Sequence, residues 1–248
     1  MVIDAHLHLK HGDAARTEYP VETILEVMDA VGIDRSVVFA MSTTARHAVE
    51  MAATAVAQCP ERLIPYAYAL PSYEEPVLEV LREAVTQLGF KGIKVHAGEC
   101  RLTDYIVDPV FRLAGELEVP CLVDFGGDLA SARRLAGAFP DTQLVIAHFG
   151  KYLCVDPGLL RSCIGLAEEF ANVWLDASGV VLPWVIAEAA RRIGADRILF
   201  GTDGPHPMPD FATFAGEPLR QMRSLGLTSA DEAMILGGTA ARLLKLTG

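Results

Sequence analysis

Long apolar runs are missing from this sequence. No stretch reaches the roughly 18 to 20 residues that a membrane-crossing helix needs, although 51% of the 248 residues are hydrophobic and the mean hydropathy is +0.29. The apolar residues are dispersed in short segments, as in a chain that buries a large core. No basic, apolar leader precedes the first strand-like segment, so the chain reads as unexported. Basic residues are in deficit: 21 Lys and Arg face 32 Asp and Glu, a net charge of −11. That balance opposes tracking along a phosphate backbone, and neither membrane nor nucleic acid is expected as a partner. Paired cysteines are lacking too. Cys59, Cys100, Cys121, Cys154 and Cys163 are odd in number and scattered, with no C-x-x-C. This argues against a disulfide framework or a cysteine zinc site, and for a reducing, cytoplasmic setting.

No Ser/Gly/Pro-rich linker or low-complexity tract divides the chain, so residues 1–248 are expected to form a single domain. Short β-rich runs at 2–8, 36–41, 63–69, 92–96, 121–125, 143–148, 172–177 and 197–203 alternate with amphipathic stretches such as VETILEVMDAVG and EPVLEVLREAVTQLG. Several of the stretches close on a helix-ending glycine. Eight strand–helix units in this length predict an α/β fold of the (β/α)8 TIM barrel type. An open doubly wound sheet would want G-x-G-x-x-G after strand 1, where the chain reads HLHLKHGD.

Five of the seven histidines fall where a barrel keeps its chemistry, at the C-terminal ends of strands. His6 and His8 end strand 1, His96 ends strand 4, His148 ends strand 6 and His206 follows strand 8. Asp124 and Asp203 take the same places on strands 5 and 8, whereas His11 and His47 fall in a loop and a predicted helix. On an extended strand Asp4, His6 and His8 share one face. Barrel closure sets strand 8, and so Asp203, beside them. Two imidazoles and a carboxylate around an open position describe a catalytic divalent-metal site, where the pKa of water falls from ~16 toward ~7. Asp203 would take the proton of that water, and His148 would polarise a carbonyl. Asp4 suits either support of the ligands or an internal structural bond.

The segments DAHLH, GFKGIKVH, VIAHFG and LFGTDGPHP, with the closing GGTAARLLKL, resemble the amidohydrolase superfamily, specifically its amidohydrolase 2 group of metal-dependent barrel hydrolases. Thr239 stands where that group usually has Asn. The resemblance implies one divalent metal, most often zinc, held by His6, His8 and Asp203, with His148 as the catalytic strand 6 histidine. On strand 5 the group reads H-x-G and this chain reads DFG. Asp124 is therefore the expected fourth ligand, and its hard oxygen admits Mn2+ or another divalent ion in place of Zn2+.

By the same resemblance, the activity is hydrolysis of a small organic acid, lactone or amide through a metal-activated water. Alternatives are metal-dependent, non-oxidative decarboxylation of an unsaturated or aromatic acid, and a degenerate barrel that binds a ligand without turnover. A TatD-like phosphoesterase would carry G-E-x-G where GIKVH stands. His96, His206, Lys151 and Arg101 are the candidate contacts for a small-molecule substrate, with Lys10 and Arg46 as further cations near the mouth. Assembly into a homo-oligomer stays open.

Overall fold

All eight residues of the first strand, β1 (Ile3–Lys10), are buried, because one face of the strand meets helices and the other meets the inside of a closed sheet. The structure, a computed structural model, describes residues 1–72 and 75–246. Residues 73, 74, 247 and 248, which belong to the single-domain span expected from the sequence, lie outside the described residues. Beyond β1 run β2 (Arg35–Ala40), β3 (Leu63–Tyr68), β4 (Gly92–His96), β5 (Cys121–Asp124), β6 (Leu144–Ile146), β7 (Val173–Asp176) and β8 (Ile198–Leu199). They form one sheet in sequence order, each paired in parallel with the next. Backbone bonds from Ala5 N–H to the Phe200 carbonyl (2.8 Å), from Asp203 N–H to the His6 carbonyl (2.9 Å) and from His8 N–H to the Gly204 carbonyl (2.7 Å) tie β1 to the last strand. The fold is a single-domain (β/α)8 TIM barrel.

A helix follows every strand: α1 (Val21–Val31), α2 (Ala45–Gln58), α3 (Val77–Leu88), α4 (Asp104–Glu116), α5 (Leu129–Ala138), α6 (Pro157–Glu169), α7 (Trp184–Ile193) and α8 (Phe211–Ser224). Each lays an apolar stripe on the sheet; α3 buries Val80, Leu81 and Ala84. The glycines expected to close helices do so at Gly32 and Gly89, with φ of 78° and 76°, a left-handed geometry that other residues adopt at a cost. The closing segment, a short helix (Ser229–Ala233), a π-helical turn (Met234–Gly238) and a last helix (Thr239–Leu243), packs against the base of β1 and β8.

Two strands are shorter than the apolar runs suggest. The run at 143–148 leaves β geometry after Ile146 for a tight turn over Ala147–Gly150, in which His148 and Phe149 have φ of 57° and 48°. In the run at 197–203 only Ile198 and Leu199 form the strand that pairs with β7, and Asp203 has a φ of 60°. In both runs the chemistry-bearing residue lies past the strand, on backbone that turns it toward the barrel mouth.

Asp4 clasps the seam. Its Oδ1 accepts N–H bonds from His6 and Thr202 (both 3.0 Å), and its Oδ2 meets the Thr202 hydroxyl at 2.5 Å. Burial pushes this carboxyl up to about 7 against the lowering effect of those bonds. Replacing Asp4 with Ala strands three donors in a dry interior and is expected to cost about 3 kcal/mol. Asp4→Asn, which keeps an acceptor, should cost less than half of that. Urea denaturation checks both, with a lower midpoint at unchanged slope.

Candidate metal centre

The rising faces of β1, β4 and β5 and the turns after β1, β6 and β8 surround a cavity of about 670 Å3 at the C-terminal end of the barrel. At its floor His6 Nε2 and His8 Nε2 lie 3.1 Å and 3.0 Å from the same oxygen, Asp203 Oδ1. The donor atoms of these three residues all lie within 4.8 Å of one another. Two imidazole nitrogens and one carboxylate oxygen, open to a cavity on one side, fit a divalent cation with room for an exchangeable ligand.

The hydrogen-bond network assigns the ring protons. His6 Nδ1 donates to Asp176 Oδ2 at 2.8 Å, so its Nε2 lone pair faces the centre, the carboxylate–histidine arrangement that orients metal ligands. Burial lowers the pKa of His6 and draws His8 down to about 3, which keeps both rings neutral and able to ligate. Burial opposes ionisation of Asp203, yet His6, His8 and His148 outweigh it and hold the carboxyl well below its usual range. Asp176 is drawn down to about 2: burial works against its ionisation, but its interaction with His6, through the Nδ1–H hydrogen bond, and the Ser178 hydroxyl prevail. Lys94 is buried with Nζ 3.1 Å from His6 Nε2 and 5.0 Å over the Phe39 ring. Burial lowers its pKa, and the surrounding carboxylates oppose that shift.

His148 stacks on His6 with ring centroids 4.8 Å apart. Its Nδ1 reaches the Ser178 carbonyl (3.1 Å) and hydroxyl (2.9 Å), while that hydroxyl donates to Asp176 Oδ2 at 2.5 Å. The Nδ1 proton is thereby fixed, and Nε2 is left facing the cavity, 3.6 Å from Asp124 and 4.0 Å from Asp203.

Asp124, the expected fourth ligand, does not fall within the three-donor group among the described residues. Its Oδ2 meets His96 Nε2 at 3.1 Å and its Oδ1 accepts the Gly126 N–H at 2.8 Å. Because His96 Nδ1 accepts the Gly98 N–H at 3.0 Å, the Nε2 proton points at Asp124. Burial resists the charge on Asp124, and His96, His148 and Lys94 more than offset it. His96 and His206 line the cavity as expected, but Arg101 and Lys151 are exposed and do not. Their loops turn these long side chains outward, where their charge stays hydrated. Arg46 is engaged by Glu83 at 2.8 Å, and Lys10 is buried away from the cavity.

The sequence reading passed over Asp176, Ser178 and His11. Asp176 ends β7 in VWLDASG and met the strand-end criterion applied to the other acids. His11 stacks on His8 at 4.3 Å and sits in the cavity wall, a placement set by a loop rather than by any period. Glu99, also in the cavity lining, accepts bonds from the Tyr68 and Ser42 hydroxyls and from the Ser42 N–H (3.1 Å).

An amidohydrolase family model matches residues 3–246. No curated protein sequence matches the chain. Among solved structures, the chain is similar to a zinc-bound amidohydrolase from Burkholderia multivorans, at 18% identity and a TM-score of 0.80 over 100% of both chains. It is also similar to a dihydroxybenzoic acid decarboxylase from Polaromonas with bound manganese, at 20% identity and 0.75 over 99% of this chain and 97% of that one. A third is 4-oxalomesaconate hydratase from Rhodopseudomonas palustris, at 19% and 0.72 over 99% and 96%. At these identities the likeness speaks for the fold.

If Asp176 orients His6, Asp176→Ala will weaken Zn2+ binding by about 10- to 100-fold, read by competition with a chromophoric chelator. An unchanged affinity in the folded variant would remove that role.

Proposed function

The chain belongs to the amidohydrolase family, and from that premise we propose that it is a metal-dependent hydrolase holding one divalent cation, Zn2+ before Mn2+, on His6, His8 and Asp203. The convergence of those three donors beneath an open cavity carries the reading. When bound, such an ion supplies Lewis acidity toward a carbonyl oxygen and lowers the pKa of water.

The chain's own groups take the remaining parts. Asp203, ionised at neutral pH, accepts the proton of the attacking water and returns it to the leaving group. His148, held by Ser178 through Nδ1, turns Nε2 to the cavity. Once protonated it donates to the developing oxyanion, and Asp124 and Asp203 at 3.6 and 4.0 Å stabilise its charge. Asp124 then serves as a charge partner for His148 and His96 rather than as a ligand. His96 and His206 stand where they would contact a small-molecule substrate.

The wall charges favour an uncharged group at the reacting centre. Asp13, Glu99, Asp124 and Asp203 line the cavity, and among the described residues Lys94 is the one lysine or arginine beside them. A polycarboxylate would meet like charge here, whereas a lactone, ester or amide would not. Decarboxylation of an unsaturated or aromatic acid at the same site is the second reading, favoured by Lys94 Nζ beside His6, which would bond a single carboxylate. Among the described residues no helix is long and apolar enough to cross a membrane. The five unpaired cysteines support work in the reducing cytoplasm.

Protein purified without chelator is expected to carry about one zinc or manganese per chain. His148→Ala and Asp203→Asn should each lower kcat by about 100-fold or more with the fold intact. Parallel assays for acid release from lactones, esters and amides and for CO2 release from unsaturated acids separate the two reactions. A chain that takes up no metal after incubation with either ion, or variants as active as the parent, would sink the proposal.

A further inference from the structure

A second cavity, of about 370 Å3, adjoins the metal-facing one between the turn after β7 and helix α8. Its walls are apolar: Val180, Ile186, Phe200 and Met222 are buried, and Phe214 and Pro218 close the α8 side. Glu217 and Gln221 stand among its lining residues and bond to each other at 3.0 Å. Tyr152 belongs to both cavities. Its ring meets His148 edge-on, with centroids 5.1 Å apart, and lies against Gly179, where a Cβ would collide with it. At 39% exposure Tyr152 stands between the two cavities.

We infer that this second cavity receives an uncharged apolar arm, aliphatic or aryl, of a substrate whose reacting carbonyl lies beside His148. The inference rests on the hydrolase reading for the carbonyl and on the second cavity for the arm. The wall residue common to both cavities, Tyr152, favours one ligand spanning both spaces. The size is that of pockets that enclose small molecules, and the apolar lining rewards methylene groups and offers no cation to a second carboxylate. Val180 and Ile186 act through contact alone, so the recognition is graded by chain length.

Two readouts on the zinc-loaded full chain test it. Calorimetric titration compares butanamide with octanamide, uncharged carbonyl compounds four methylenes apart. At about fourfold per fully buried methylene, octanamide is expected to bind at least ~30 times tighter. Val181→Trp and Gln221→Trp close the rim from opposite sides, and each is expected to cut that ratio at least ~10-fold while circular dichroism and zinc content match the parent. Equal affinities for the two amides, or a ratio that survives both folded variants, overturns the assignment. The second readout is kcat/KM for γ-lactones of increasing side-chain length. A flat series with measurable turnover overturns the arm and leaves the hydrolase reading intact. No turnover of any lactone, ester or amide, with octanamide still preferred, removes the hydrolase reading and leaves the cavity assigned.

Discussion

Closure of the barrel between β1 and the segment after β8 is the constraint on which the site depends. His8 and Asp203 are 195 positions apart and meet at 3.0 Å only because the seam holds. Three backbone bonds and the Asp4 clasp fix the register there. A slip of one residue would turn His6 and His8 out toward the helices. The same carbonyl of His6 that anchors Asp203 N–H belongs to a residue whose ring faces the Asp203 carboxylate. Backbone pairing and ligand geometry are therefore one arrangement at this point.

The interior is polar to a degree that demands compensation. Asp4, Asp176, His6, Lys94 and Ser178 are all at 1% exposure or less. Isolated charges would not survive such burial. Here each group is answered by another: Asp176 by His6, Ser178 and the His148 N–H, and Lys94 by its carboxylate surroundings. Ser178 links the two histidine systems, since its hydroxyl touches both His148 and Asp176. A shift at either ring is felt at the other through that single oxygen.

The barrel, and the shared face of His6 and His8 on β1, were legible in the sequence because period-2 alternation on a fully extended strand is a local property. His148 was reached by the same count, yet its orientation comes from a left-handed backbone that alternation does not describe. Asp176 satisfied the strand-end rule, but nothing local marks its role, because its partner His6 is 170 residues away. The mouth cations failed for another reason. Arg101 and Lys151 lie in βα loops, but loop membership does not say which way a long side chain turns. For Asp124 the motif position did not say what its oxygens meet, which in this structure are His96 and the Gly126 N–H.

The turn that presents His148 also restricts how this chain can change. Phe149 combines a φ of 48° with complete burial. Glycine would relieve the backbone but empty a core position the size of a phenyl ring; a β-branched residue would fill part of that volume and sharpen the steric conflict. Each one-step escape from either demand worsens the other. The segment AHFG is thus a position from which a drifting lineage has few viable neighbours, and relatives that differ there should differ in the packing around it as well.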